Sequence, residues 1–200
     1  MEQAAKRGTL VVLSGPSGTG KGTVCGVVRN HLGDAVRYSI SATTRKPRTG
    51  EEHGREYFFF SKEEFEALRD QNGFLEWAQV YDNYYGTPRA FVEEVLASGK
   101  DCILEIDPQG ALQVRKATDE AVLVFIAPPS LEELRNRLTG RGTESAEEVE
   151  KRLSCAESEL AYRDKYDYII VNDDVETAAA KMEAILLAEK CRSGRNMDLK

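Results

Sequence analysis

The sequence predicts an α/β protein of three layers, in which helices cover both faces of a parallel sheet. Four short apolar runs carry this prediction, because a strand that is buried on both faces is apolar at nearly every position. Segments with helical periodicity separate the runs along the chain. The runs are residues 9–14 (TLVVLS), 102–107 (CILEID), 122–127 (VLVFIA) and 168–172 (YIIVN).

Length and charge narrow the class of protein. The chain has 200 residues, with 27 Lys and Arg against 34 Asp and Glu, so its formal net charge is −7. This length fits one domain with embedded lobes. The acidic balance disfavours a broad nucleic-acid surface but allows a small anionic ligand. No apolar run approaches the ~20 residues of a membrane helix, and residues 1–10 lack a signal-peptide core, so we expect a cytoplasmic protein with no membrane partner.

Cysteine and histidine spacing gives no metal signature. No pair of cysteines has the spacing of a zinc or redox motif, which favours buried free thiols in a reducing compartment. The cysteines are Cys25, Cys102, Cys155 and Cys191.

Capping signals mark the helices between the strands. A helix of about residues 21–32 follows the first strand, and Thr87-Pro88 has the pattern of a helix start. Later starts are predicted at Ser130, at Ser145 and at Asp174, each followed by an apolar stripe.

The stretch from about residue 36 to residue 85 departs from this alternation. It contains a capping box at Ser61 and Glu64, and Phe60 and Phe65 are spaced for a hydrophobic staple across it. A strand-like run at residues 74–81 follows. We interpret the stretch as a small strand-rich lobe inserted into the α/β core.

A glycine-rich segment between the first strand and the first helix predicts a phosphate-binding loop. Its glycines allow several backbone N–H groups to converge, and the helix N-terminus adds partial positive charge. A lysine in the loop can reach the β and γ phosphates of a nucleotide. The loop consists of Gly15, Pro16, Ser17, Gly18, Thr19, Gly20, Lys21, Gly22 and Thr23.

The loop departs from the usual pattern at one position. Gly22 follows the lysine, where a Mg²⁺-holding Ser or Thr is usual. We therefore expect Mg²⁺ to be held by water and nucleotide phosphates, with Thr23 and Asp107 as the candidate protein groups, because Mg²⁺ keeps several of its waters.

Residues 39–51 concentrate three cations and several hydroxyl groups. Arg45 and Arg48 could bind a phosphate monoester through paired hydrogen bonds, and Tyr57 and Tyr85 could donate to the same oxygens. From this segment alone, a solvated basic loop is the alternative.

At this point the sequence resembles the guanylate kinase family. Residues 41–59 (SATTRKPRTGEEHGREYFF) look like its GMP-binding segment, and FLEWAQVYDNYYGTP, CILEIDPQGA, FIAPPS, RLTGRGTES and VNDD match further motifs in order. The resemblance spans residues 10 to about 190. It implies a P-loop NTPase core (about 8–36, 88–128 and 164–192), a GMP-binding lobe (about 37–87) and a helical lid (about 137–156).

The activity that the resemblance implies is Mg²⁺-dependent transfer of the ATP γ-phosphoryl group to GMP, and to dGMP. The products are ADP and GDP, which places the activity in purine nucleotide metabolism and GMP recycling. ATP and GMP are the implied partners, and the oligomeric state stays open.

Acceptor-site residues follow from the same resemblance. Glu76 and Thr87 would read guanine, since a carboxylate can accept from N1–H and the 2-amino group together while a hydroxyl donates to O6. Without the resemblance, Glu76 fits a plain exposed strand residue equally well. The implied GMP-binding residues are Ser41, Arg45, Arg48, Glu51, Tyr57, Glu76, Tyr85, Thr87 and Asp107.

On the donor side, the resemblance adds lid arginines and an adenine contact to the phosphate loop. Arg137, Arg141 and Arg152 would contact the phosphates of ATP, and Asn172 and Asp173 would face its adenine. An ordinary surface position is the alternative for Arg137 and Arg152, and a helix cap is the alternative for Asn172 and Asp173. The implied catalytic residues are Lys21, Arg45, Arg141 and Arg152.

Three other function classes fit parts of the sequence. A non-catalytic, guanylate-kinase-like binding module typically lacks parts of the loop or the acceptor arginines, and both are present here. The GKGT ending of the loop also resembles adenylate kinases, but residues 39–51 do not. A GTPase would carry an Asn-Lys-x-Asp motif, which the sequence lacks.

Overall fold

The computed structural model describes residues 7–139 and 146–192, which form nine strands and seven α-helices. The strands are β1 (Leu10–Ser14), β2 (Val36–Tyr38), β3 (Ala42–Thr43), β4 (Phe58–Phe59), β5 (Phe74–Val80), β6 (Asn83–Pro88), β7 (Asp101–Glu105), β8 (Val122–Ala127) and β9 (Tyr168–Val171). The helices are α1 (Lys21–Leu32), α2 (Lys62–Asp70), α3 (Arg89–Ala97), α4 (Pro108–Ala117), α5 (Leu131–Thr139), α6 (Ala146–Leu160) and α7 (Val175–Lys190).

A five-stranded parallel sheet forms the centre of the molecule. Its strand order is β2-β7-β1-β8-β9, so the strand that precedes the phosphate loop lies in the middle. All four predicted strands are present within one or two residues of their predicted ends. The predicted α/β fold class with a parallel sheet is confirmed.

Both faces of this sheet are covered by apolar side chains, which explains the continuous apolar runs. Val11 and Leu13 of β1 pack on the face that α1 and α7 cover. Leu10 and Val12 pack on the opposite face with residues of α3 and α4. Successive residues of β1 therefore belong to two different cores.

A second, four-stranded sheet forms the inserted lobe, with strand order β4-β3-β6-β5. Its core is aromatic: Phe65 of α2 stacks on Phe74 with ring centroids 4.3 Å apart and on Tyr84 at 5.3 Å. The predicted capping box at Ser61 and Glu64 is present. Phe60 packs on the same cluster as Phe65, as the predicted staple requires.

The two sheets are joined with little intervening chain. The Ser39 N–H still donates to Ile103 O in the central sheet, at 2.9 Å, whereas Ser41 O already accepts from Phe58 N in the lobe, at 2.9 Å. Ile40 is the residue between these two hydrogen bonds.

Helices α5 and α6 pack against each other around a small core of their own, which holds Leu134, Leu138, Val149, Leu153 and Ala156. The side chain of Ser130 caps α5 by accepting from Glu133 N at 3.0 Å, as predicted. The predicted start of α6 at Ser145 lies outside the described residues.

The structure differs from the sequence-based expectations at three elements. Strand β2 was not predicted, and it places Tyr38 in the central sheet rather than in the lobe. Helix α4 was not predicted, and Asp107 is its N-cap rather than a strand residue. Thr87 is not the cap of α3: it belongs to β6, its hydroxyl donates to Glu76, and Pro88 occupies the cap position.

The cysteines are all free, but only Cys25 and Cys102 are buried. The prediction of buried thiols is therefore wrong for Cys155, which is exposed on α6, and for Cys191, which is exposed directly after α7. Within residues 7–139 and 146–192, no helix is both long and apolar enough to cross a lipid bilayer.

Because Phe65 is fully buried between two rings, we expect Phe65→Ala to lower the free energy of unfolding by about 3–5 kcal/mol. Urea denaturation measures the loss. Tyr81→Ala is the matched control, since Tyr81 is 92% exposed at the tip of the same lobe. Equal stability of the two variants would contradict the assigned aromatic core.

Candidate active site

The carboxyl ends of the parallel strands bring predicted residues of both nucleotide sites to one edge of the central sheet. The phosphate loop follows β1, Asp107 follows β7, and Asn172 follows β9. The order of the strands thus gathers side chains that are far apart in sequence.

Three loop glycines, Gly15, Gly18 and Gly20, have the positive φ that suits glycine. Gly18 has φ +89° and Gly20 has φ +85°, both in the left-handed region. A Cβ at Gly20 would lie 2.5 Å from the amide nitrogen of Asn172, so the loop leaves no room for a side chain there.

Lys21 opens α1 and points back over the loop. Its ammonium donates to Gly15 O at 2.6 Å and to Pro16 O at 3.1 Å. Burial lowers the pKa of Lys21, and the carboxylates of Glu105 and Glu159 oppose that effect. The loop therefore carries a half-buried cation at the N-terminus of a helix, as a phosphate site requires.

Asn172 binds the phosphate loop. Its side-chain amide donates to Thr19 O at 2.7 Å, and its backbone oxygen accepts from Arg137 Nη2 at 3.0 Å. Asp173 accepts from the backbone N–H of Asp174 at 2.9 Å. The adenine contacts predicted for Asn172 and Asp173 stay predictions, because these interactions are with protein groups.

The helix pair α5–α6 packs directly on the phosphate loop. A Cβ at Gly18 would lie 2.8 Å from Leu138 and 3.1 Å from Leu134 of α5. Arg152 of α6 donates to the Ser17 hydroxyl at 2.6 Å. Arg152 thus lies at the loop and Arg137 lies beside Asn172, whereas Arg141 falls outside the described residues.

On the acceptor side, Arg45 is held by a carboxylate. It forms paired hydrogen bonds to Glu51, at 2.9 and 3.0 Å, and Arg48 N also donates to Glu51 at 2.7 Å. This pairing lowers the pKa of Glu51 and raises that of Arg45. Glu51, predicted as a GMP contact, orients the Arg45 guanidinium and binds the backbone of Arg48 in this structure.

Two tyrosines complete the acceptor cradle. The Arg45 guanidinium lies 5.3 Å from the centre of the Tyr57 ring, and Tyr57 meets Tyr85 edge to face at 6.3 Å. Tyr85 pairs with Thr43 across β6 and β3, and Thr43 in turn accepts from Arg45 N at 3.1 Å. The predicted Ser41 precedes β3 at the entrance to the same lobe.

Glu76, which is predicted to bind guanine, is a buried carboxylate. Glu76 is 9% exposed and accepts from the Thr87 hydroxyl at 2.6 Å, which excludes the plain exposed strand residue. Burial raises the pKa of Glu76, the Thr87 hydrogen bond lowers it, and Asp107 raises it. A Cβ at Gly110 would lie 3.3 Å from Glu76 and 3.5 Å from Asp107, so α4 approaches both groups closely.

The candidate metal-binding groups are spread around the loop. Thr23 is exposed on α1, Asp107 accepts from Gly110 N at 2.8 Å, and a Cβ at Gly22 would lie 4.0 Å from Glu105 Oε1. The part of the chain that the structure describes holds no cluster of three or more metal-ligating side chains.

Sequence reasoning missed one charged residue at the loop. Glu159 of α6 lies near enough to Lys21 that the positive charge of the lysine lowers the pKa of the Glu159 carboxyl, against the effect of burial. The available signal was its spacing of seven residues from Arg152, which places both side chains on one face of a helix.

A wide cleft of about 950 Å³ lies away from these groups, between the lobe and the edge of the central sheet. Its lining includes Arg29, Tyr38, Arg55 and Phe91, and none of the phosphate-loop residues. The cleft therefore does not define the candidate active site.

A phosphate loop on the central sheet and an arginine cradle on an inserted lobe define the P-loop kinases of nucleoside monophosphates. The comparison with known proteins identifies the family. The family model described as Guanylate kinase matches residues 7–189, and this chain belongs to that family.

Individual relatives agree with the family assignment. The chain is 55% identical to the guanylate kinase of Caldanaerobacter subterraneus subsp. tengcongensis, over 97% of this chain and 94% of that protein. It is 52% identical to the guanylate kinase of Clostridioides difficile, over 95% and 92%. A crystal structure of guanylate kinase from Anaplasma phagocytophilum matches with a TM-score of 0.72 at 36% identity, over 97% and 92% of the two chains.

An alanine at position 20 would place its methyl group against the Asn172 side chain and would have to hold a left-handed backbone conformation. We therefore expect Gly20→Ala to weaken ATP binding by roughly 5- to 100-fold. Isothermal titration with ATP measures this. Gly26→Ala is the control, because Gly26 lies within α1 with open space around it. Unchanged ATP affinity in Gly20→Ala would show that the loop tolerates a side chain there.

Proposed function

We propose that this chain transfers the γ-phosphoryl group of ATP to GMP, as its membership of the guanylate kinase family indicates. The observation that carries the choice of GMP as acceptor is the buried Glu76 carboxylate, which the Thr87 hydroxyl orients. A buried carboxylate costs free energy unless it is paired, and guanine offers two N–H donors to pair with it.

The donor site is the phosphate loop with Lys21. Its backbone N–H groups and the N-terminus of α1 favour the phosphates of ATP, and the Lys21 ammonium reaches the β and γ phosphates. Lys21 already donates to two carbonyl oxygens of the loop, which keeps it over the loop. Asn172 supports this arrangement by fixing Thr19.

The acceptor phosphate is bound by Arg45 and Arg48, with Tyr57 and Tyr85 as further donors. Glu51 orients Arg45 through two hydrogen bonds, so the guanidinium needs little reorganisation when a phosphate arrives. A planar guanidinium can then bind two phosphate oxygens at once.

The guanine ring is read by Glu76 and Thr87, assisted by Ser41 and Asp107. Glu76 accepts from N1–H and the 2-amino group, and the Ser41 hydroxyl donates to O6, because the one hydroxyl hydrogen of Thr87 is already donated to Glu76. Adenine presents an acceptor at N1 and has no 2-amino group, so Glu76 would be left unpaired. Sites that depend on polar pairing reject such analogues by about 10⁴–10⁵-fold.

The reaction is a direct displacement at phosphorus. A phosphate oxygen of GMP forms a bond to the γ-phosphorus of ATP, and the bond from that phosphorus to the β–γ bridging oxygen breaks, which leaves ADP and GDP. Catalysis consists of alignment and of stabilising the charge on the equatorial oxygens. Lys21, Arg45, Arg141 and Arg152 are the cations that we assign to this task.

Mg²⁺ is the cofactor we propose, since it neutralises charge on the transferred phosphoryl group when bound. The scattered donor set fits an ion that keeps several waters and takes one or two carboxylates together with substrate phosphates. Asp107 and Thr23 are the groups that we assign to it, directly or through water.

We assign α5 and α6 to the lid and the four-stranded sheet to the GMP-binding lobe. Exclusion of water by the lid protects the phosphoryl group from hydrolysis. The residues that we assign to GMP binding contact its guanine base and its phosphate. Both are shared by dGMP, which we therefore propose as a second acceptor.

Kinase assays with four nucleoside monophosphates as acceptors test this function. We expect ATP-dependent ADP release with GMP and dGMP and little with AMP or UMP, and Lys21→Met supplies the inactive blank. Glu76→Gln should reduce kcat/KM for GMP and narrow the preference for GMP over AMP by about 10²-fold or more. The neutral amide has one oxygen acceptor where the carboxylate has two, and it presents an NH₂ donor to the N–H groups of guanine. Unchanged selectivity in Glu76→Gln would move guanine recognition to another residue.

Arg45→Ala should raise KM for GMP by about 10- to 100-fold, because a hydrogen bond to a charged group contributes about 1.5–3 kcal/mol. Steady-state kinetics at saturating ATP measure this change. Arg55→Ala is the matched control, since Arg55 lies on the same lobe, is half-exposed and pairs with Glu52 and Glu56. An Arg45→Ala variant with an ordinary KM for GMP would remove this arginine from the acceptor site.

A further inference from the structure

Strand β5 contains a β-bulge at the residue that we assign to guanine. The register between β5 and β6 shifts between the pairs Phe74–Pro88 and Trp77–Gly86. Two residues of β5, Leu75 and Glu76, therefore lie opposite the single residue Thr87 of β6. A bulge disrupts the regular pairing at one residue and can turn a side chain toward a functional site.

Three successive residues of β5 are buried, each in a different environment. Phe74 belongs to the aromatic core of the lobe, whereas Leu75 belongs to the core that α3 and α4 share with the central sheet. Glu76 comes next and is buried against the Thr87 hydroxyl. The direction of the Glu76 side chain therefore depends on the backbone geometry of the bulge.

The peptide bond that follows Glu76 is constrained on both of its sides. On one side its N–H, which belongs to Trp77, donates to the side-chain oxygen of Gln113 in α4 at 3.2 Å. On the other side its carbonyl oxygen faces β6, where a Cβ at Gly86 would lie only 2.9 Å away. The C=O and the N–H of a trans peptide point in opposite directions within one plane. The contact with Gln113 therefore fixes the orientation of the whole peptide.

Helix α4 also approaches the Glu76 carboxylate directly. A Cβ at Gly110 would lie 3.3 Å from Glu76 Oε2. Gln113 follows Gly110 by three residues, so both lie on one face of the helix. Ala111 of α4 shares an apolar core with Leu75 of the bulge. One helix thus lies against the bulge and supplies a hydrogen-bond acceptor to its backbone.

We propose that Gln113 is a positioning residue for guanine recognition: its amide oxygen binds the N–H of the peptide after Glu76 and so holds the bulge that aims the Glu76 carboxylate at the base. Gln113 acts through Glu76, and we assign it no contact with the nucleotide. The inference rests on the proposed function, in which Glu76 accepts from N1–H and the 2-amino group of guanine. It makes the choice of base depend on a helix of the central core as well as on the lobe.

Gln113→Leu tests the proposal, because leucine is similar in size to glutamine but cannot accept a hydrogen bond. GMP and inosine monophosphate (IMP) are the probes, since IMP lacks only the 2-amino group. We expect the preference for GMP over IMP, as a ratio of kcat/KM values, to narrow by about 2- to 12-fold. A misaligned carboxylate loses the hydrogen bond to the 2-amino group, and one hydrogen bond contributes a factor of that size. KM for ATP should stay unchanged.

Gln113→Glu is the rescue variant, since it keeps an oxygen acceptor at the same place and should retain the wild-type ratio. Gln79→Leu is the matched control, because Gln79 is an exposed glutamine of the same strand whose amide donates to Tyr81 O at 3.1 Å. Thermal unfolding establishes that each variant is folded. Gln113→Ala carries the same prediction if the leucine variant does not fold.

Combination with Glu76→Gln separates an effect through Glu76 from a general loosening of the lobe. If Gln113 acts through this carboxylate, Gln113→Leu should not change the GMP-to-IMP ratio further in the Glu76→Gln background.

Three outcomes would overturn the proposal. The first is a wild-type ratio in Gln113→Leu, and the second is a Gln113→Glu ratio displaced as far as that of Gln113→Leu. The third is an effect of Gln113→Leu that adds in full to that of Glu76→Gln. Wild-type selectivity in Glu76→Gln alone, or absence of GMP-dependent ADP release in the wild type, would instead refute the proposed function, and both are measured first.

Discussion

A phosphate loop has to aim several backbone N–H groups at one point, and other contacts must hold them in that strained arrangement. In this protein the support comes from three directions. Asn172 binds Thr19 from the end of β9, Leu138 packs against Gly18 from α5, and Arg152 binds Ser17 from α6. The central sheet supplies the first contact and the helix pair supplies the other two. Donor-site geometry therefore depends on the packing of α5 and α6 as well as on β1 and α1.

On the acceptor side, contacts with other residues hold side chains in place, as they hold the backbone of the phosphate loop. Arg45 contacts Glu51 and two aromatic rings, and Glu76 contacts Thr87 and lies close to Asp107. Arg45 and Glu76, which we assign to GMP recognition, thus each have a protein partner that fixes their direction. Ordering these groups within the folded protein reduces the conformational entropy that a nucleotide would otherwise have to remove on binding.

Much of this architecture could be predicted from the sequence because it depends on local patterns. The apolar runs gave the central strands, the capping signals gave α2, α5 and α7, and the glycine-rich segment gave the phosphate loop. Helix α4 escaped because Asp107-Pro108 was interpreted as the end of a strand, although Asp followed by Pro is a good helix start.

Side-chain contacts between distant elements could not be predicted from such local patterns. The pairing of Arg45 with Glu51 and of Thr87 with Glu76 depends on how the chain folds back, and the family resemblance assigned all four to the ligand. For Glu159 the one signal was its spacing from Arg152, because its approach to Lys21 depends on how α6 packs in the folded chain.

The junction at Ile40 has a wider consequence. With one residue between the hydrogen-bond ladders of the two sheets, the backbone torsions of that residue contribute to the tilt of the lobe, together with the packing of Leu75 of β5 in the central core. A small rotation there is magnified along the lobe into a larger displacement of Arg45. The gap that a phosphoryl group must cross is thus governed partly by an apolar residue to which we assign no contact with either nucleotide.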